Sequence, residues 1–137
     1  MSGAWRRSAV AITGALAAFV AGCSGFDRLD FVYESAPPDD AIVSFEGIEI
    51  HAGIAVGVEA RPVDGDEIMD EDTQVELDSR NPGVLGIAPA QPDEDVDNDD
   101  KYNWKFVVFG VGPGTTQVVV TIDGEIEAEI PAVVQEQ

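Results

Sequence analysis

The sequence predicts an all-β chain folded as a β-sandwich. Three observations carry that prediction. Short runs of alternating apolar and polar residues recur from Ala41 onward. Turn signals separate them at Ala52-Gly53, Asp64-Gly65, Asn81-Pro82-Gly83, Gly112-Pro113-Gly114 and Asp123-Gly124. The composition, with 14 Gly and 8 Pro beside abundant Val and Ile, suits strands and tight turns rather than helix or disorder.

The elements follow in order. Residues 42–50 form the first strand, with a break near Gly47. After the Ala52-Gly53 turn, Ile54, Val56, Val58 and Ala60 alternate with Ala55, Gly57, Glu59 and Arg61, so one face is buried. Val75 and Leu77 alternate with Glu76 and Asp78 beyond the Asp64-Gly65 turn. Asn81-Pro82 stops that strand, and residues 84–87 are short and apolar. Tyr102, Trp104, Phe106 and Val108 alternate with Asn103, Lys105, Val107 and Phe109, which places Trp104 and Phe106 in the core. Phe109 has the opposite parity and is either edge packing or an exposed contact.

The last two strands face each other across Asp123-Gly124. A two-residue loop would pair Thr121 with Ile126, a poor match of threonine with isoleucine. A three-residue loop over 122–124 pairs Val120 with Ile126 and Val118 with Ala128, with Gly124 at a left-handed bulge position. Because register follows the buried face, the three-residue loop is expected.

Three stretches stand out: Ile48-Glu49-Ile50-His51-Ala52-Gly53 with Val56-Gly57-Val58-Glu59-Ala60 and Asp64-Gly65, then Ser79-Arg80-Asn81-Pro82-Gly83-Val84-Leu85-Gly86-Ile87, then Gly112-Pro113-Gly114-Thr115 followed by alternating valines. In this order they resemble the bacterial Ig-like domains, most closely the group-2 (BIG2) domains of intimin- and invasin-type surface proteins. The resemblance implies an Ig-like Greek-key β-sandwich of about seven strands over residues 41–135, serving as a spacer, adhesion or ligand-display module. It implies no enzyme activity. The chain departs from the family in having one copy and in the long acidic stretch 90–101 where most members have a short turn.

The N-terminus carries a different signal. Arg6-Arg7, an apolar run over 9–20 and the small residues Ala21-Gly22 have the order of a secretory signal, residues 1–22. The apolar run is shorter than the ~20 residues that span a bilayer. Val20-Ala21-Gly22-Cys23 resembles the lipobox of bacterial lipoproteins. That resemblance implies cleavage before Cys23, a diacylglycerol on its thiol, and an acylated, palmitate-bearing N-terminus. Ser2 excludes N-myristoylation, and Ser8-Ala9 after the arginine pair favours general secretion over twin-arginine export. Ser24 in place of Asp resembles the pattern sent on to the outer membrane where the cell has one. Residues 23–40 then read as the lipidated cysteine and a tether, ending in Pro37-Pro38. Its apolar patch Phe31-Val32-Tyr33 leaves two alternatives, a docked edge strand or a free linker with a reach of ~20–25 Å.

Charge narrows the partners. None of the 27 Asp and Glu precedes Cys23, whereas two of the seven Lys and Arg do, so the 115 residues from Cys23 carry a formal −22. Such a chain lacks the basic footprint of a nucleic-acid binder. The expected partners are the membrane, through the lipid anchor, and an envelope or extracellular protein or glycan. Asp93, Asp95, Asp97 and Asp99 alternate as calcium-loop ligands do, but Trp104 occupies the position where a bidentate Glu would stand. The alternative reading is a solvated acidic loop. Asp64, Asp66, Glu67, Asp70, Glu71 and Asp72 form a second acidic run, which Ig topology places at the same pole. His51, the lone histidine, reads as a surface residue, and no sequence-adjacent base or nucleophile suggests catalysis.

Overall fold

A computed structural model describes residues 25–38, 40–90 and 104–137. The chain is an all-β sandwich. Among the described residues it forms ten strands: β1 (Arg28–Tyr33), β2 (Ile42–Ser44), β3 (Gly47–His51), β4 (Ala55–Asp64), β5 (Glu67–Ile68), β6 (Val75–Ser79), β7 (Leu85–Pro89), β8 (Lys105–Gly110), β9 (Gly114–Ile122) and β10 (Glu125–Gln135). One sheet runs β1-β4-β8-β7, with β5 also on β4; the other runs β2-β3-β10-β9-β6. The chain crosses between sheets after β1, β3, β5, β6 and β8, a Greek-key type of connectivity.

The seven expected strands are present, and three more account for the difference. Residues 42–50 are not one interrupted strand but a hairpin, with β2 antiparallel to β3 and Ser44 opposite Gly47. The Ser44 hydroxyl closes the turn, accepting from the Glu46 amide at 3.2 Å and donating to the Gly47 carbonyl at 3.1 Å. The two-residue β5 returns along β4 beyond the Gly65-Asp66 turn. The third addition is β1, which pairs antiparallel with β4 from Arg28↔Val63 to Tyr33↔Val58. Of the two alternatives for Phe31-Val32-Tyr33, the structure has the docked strand. Folding therefore starts well before Ala41.

Alternation correctly assigns the faces of the long strands. Val56, Val58 and Ala60 of β4, Phe106 and Val108 of β8, and Val118, Val120 and Ile122 of β9 all point into one core. Trp104 joins them, only 4% exposed. Phe109 lies on the outer face opposite Gly86, and its ring occupies the space a Gly86 side chain would need.

The β9–β10 hairpin corrects the expected three-residue loop. Ile122 pairs with Glu125 and Thr121 with Ile126, so the loop is the two residues Asp123-Gly124. Both have positive φ, 50° and 87°, as a type I′ turn requires. The Thr121–Ile126 pair is kept, and a bulge at Glu127 resets the register beyond it. Beyond it Ala128 faces Val120 and Ile130 faces Val118. The bulge leaves Ile126 outside and turns Ile130 fully inward.

Candidate functional site

The sequence points to the loop pole, and the structure brings several of its parts together. The β4–β5 turn, the loop before β6, the residue preceding β8 and the β9–β10 turn share one end of the sandwich. Trp104 donates its indole Nε1–H to the Thr73 carbonyl at 2.9 Å, tying the start of β8 to the loop before β6. Asp123 accepts from the Gln74 amide through Oδ1 and donates its own amide to the Gln74 carbonyl, both at 2.9 Å. Each bond crosses between loops, so the pole is held by two side chains as well as by backbone.

The chain enters the fold at this same pole. Asp27 donates its amide to the Val63 carbonyl at 2.8 Å, and its carboxylate accepts from the Gly65 amide. Arg28 donates to the Gly65 carbonyl at 3.0 Å and pairs with Asp30 at 3.0 Å. Phe26 is buried, packed edge-on to Phe45 with ring centroids 6.1 Å apart. The β4–β5 turn thus clasps the first residues of the fold.

Asp64, Asp66, Glu67, Asp70, Glu71 and Asp72 are all exposed on this pole. Cys23, Asp93, Asp95, Asp97 and Asp99 lie outside the described residues. Among the described residues, no three acidic, histidine or cysteine side chains are grouped to hold a metal ion. The solvated-loop reading predicts a simple outcome. Melts of a chain starting at Gly25, in calcium and in sodium chloride at matched ionic strength, are expected to coincide. A calcium-specific gain, about 2.7 kcal/mol at a hundredfold excess over Kd, would instead assign a cation to the 93–99 stretch.

Cations are few and committed. Arg61 contacts the buried Glu59 at 3.0 Å, Lys105 contacts Glu34 at 3.4 Å, and Arg80 pairs with Glu129 across the β6–β10 face. Glu59, Arg61 and Lys105 lie on the outer side of the first sheet, where β4 and β8 pair. These pairs spend the small positive charge of the described chain on its own acids.

The opposite pole holds the one feature that sequence reading missed. His51 Nδ1 lies 2.9 Å from the Glu136 carbonyl, and Nε2 lies 3.6 Å from Asp40 Oδ2. A small pocket there is lined by Pro38, Asp40, Ala41, His51, Ile54 and Gln137. The partners stand 11 and 85 positions away from His51, so no local pattern could signal them. The histidine ties the end of β10 to the segment before β2. It is a half-buried bracket rather than the free surface residue the sequence suggested.

No family model matches the chain. No curated protein matches it. Among solved structures, it is similar to a crystal structure of domains 4 and 5 of the S-layer protein SbsC, at 12% identity and a TM-score of 0.42. That alignment covers 80% of this chain and 52% of the other, so the chain spans about half the length of the structure it matches.

Proposed function

We propose that this protein is a lipid-anchored module of a bacterial cell envelope, a non-enzymatic Ig-like domain with a structural, adhesion or protein-interaction role. The observation that carries the reading is the order Arg6-Arg7, apolar 9–20, then Val20-Ala21-Gly22-Cys23. The folded domain supports it. β1 starts five residues after Cys23, so a cleaved and acylated cysteine stands next to a stable sandwich. The Ser79 to Ile87 and Gly112 to Thr115 stretches that resemble Ig-like domains fall at the β6–β7 turn and the β8–β9 turn, where such domains cross between sheets. Its partner is an envelope or extracellular protein or glycan, and the outer membrane is its location in a cell that has one.

Lipid attachment has a direct test. Cys23→Ser is expected to abolish incorporation of labelled palmitate and to move the protein out of the membrane fraction. Equal palmitate labelling and equal membrane association of the variant would refute the anchor.

A further inference from the structure

The anchor and the fold together fix which end of the domain meets the membrane. Cys23 precedes Gly25 by two residues, and each residue spans at most ~3.6 Å, so their Cα atoms are within ~7 Å of each other. From Phe26 onward the chain is already docked: Phe26 is 8% exposed, and Asp27 bonds to Val63. A lipid-bearing Cys23 therefore has no tether to lift the domain away. The acyl chains leave from the β4–β5 and β9–β10 pole, and the His51 pole points outward.

That anchor pole also carries the two most exposed of the large apolar side chains among the described residues. Ile126 is 60% exposed and Ile68 is 52% exposed. Ile68 pairs with Val63, which pairs with Arg28 on its other side. Strand spacing puts the Ile68 backbone ~10 Å from the start of β1. Ile126 follows the β9–β10 turn at the same end of the second sheet. The bulge after it is what keeps this isoleucine out of the core. Isolated exposed apolar residues are ordinary on a protein surface. Two isoleucines at the same end of the sandwich as the emerging lipid have an apolar phase within reach.

We propose that the lipidated domain sits directly on a phospholipid surface, with Ile68 and Ile126 entering the headgroup layer as apolar feet at the anchored pole. This rests on the reading of Cys23 as lipidated. The exposed acids of this pole, Asp64, Asp66, Glu67, Asp70, Glu71 and Asp72, with Asp123 and Glu125 at the β9–β10 turn, stay in the aqueous edge of that layer. Their charge disfavours a strongly anionic surface within a Debye length of ~8–10 Å.

The test uses the full-length protein, purified with its lipid from membranes and reconstituted into phosphatidylcholine vesicles. Cys23 is the only cysteine, so once acylated it leaves an introduced thiol as the single labelling site. Ile68→Cys, Ile126→Cys and Val111→Cys variants receive a nitroxide. Val111, 48% exposed at the opposite pole, is the matched apolar control. Labels at 68 and 126 are expected to collide several-fold more with oxygen, relative to a water-soluble nickel chelate, than the label at 111. Equal, water-like accessibility at all three positions, in protein that floats with the vesicles, would overturn the seating while leaving the anchor intact. Protein that does not float with the vesicles would overturn the anchor and the seating together.

Discussion

Trp104→Ala is expected to cost about 3–5 kcal/mol, the range for deleting a large aromatic from a packed core. For a domain of this size that lowers the melting midpoint by roughly 12–20 °C, at roughly 4 °C per kcal/mol. Two losses add. The indole is 4% exposed and fills the space between the sheets near the pole that carries the loop before β6. Its Nε1–H also satisfies the carbonyl of Thr73, a residue itself 5% exposed. Trp104→Phe restores most of the volume but leaves that carbonyl without its donor, and should cost about 1–3 kcal/mol. Thermal melts of a chain starting at Gly25, which retains β1, rank the two variants. An alanine variant melting within a few degrees of the parent would show that Trp104 is not the tie between β8 and the loop before β6.

Gly110→Ala is expected to cost about 3 kcal/mol or more, at the upper end of overpacking penalties. The two sheets meet at this residue. Gly110 bridges to Ala52, accepts from the Gly53 amide at 2.9 Å and donates to the Ile54 carbonyl at 3.0 Å. An added Cβ would stand 2.4 Å from the His51 carbonyl oxygen and 3.1 Å from Ala52 Cα. Both are backbone atoms of the opposing strand end, so relief requires the sheets to part. Gly86→Ala meets only the Phe109 ring, a half-buried side chain that can swing outward, and should cost less. Gly47→Ala is the control, since its nearest neighbour is the Pro131 carbonyl oxygen at an ordinary 3.7 Å. Denaturant melts giving Gly110→Ala the same midpoint as Gly47→Ala would contradict the close approach of the sheets.

Strand faces were the most legible part of this sequence. A half-buried strand must alternate, so Val56-Val58-Ala60 and Val118-Val120-Ile122 declared their inward sides without help from the rest of the chain. Reversals were harder to read. The β2–β3 turn uses Phe45-Glu46, which has none of the usual turn residues, and depends on one serine hydroxyl. The Asp123-Gly124 hairpin had the opposite difficulty. Its local signal was strong, but a continuous register would have turned Ala128 and Ile130 away from the core. One extra residue at Glu127 reconciles turn and core, and a bulge is invisible to any argument that assumes unbroken alternation. The docking of β1 was open because an apolar triplet in a linker has no periodicity long enough to decide its fate. Of the candidate site, the shared loop pole was legible from topology. The His51 bracket was not, because Asp40 and the Glu136 carbonyl reach it only through the folded sheet.

We propose that lipid on Cys23 holds this sandwich to a membrane. The intact mass of the protein extracted from membranes tests it most directly. The expected mass is that of residues 23–137 plus a diacylglyceryl group on the Cys23 sulfur, with or without a third acyl chain on its amine. An unmodified chain retaining residues 1–22, or one cleaved elsewhere and bearing no lipid, would contradict it.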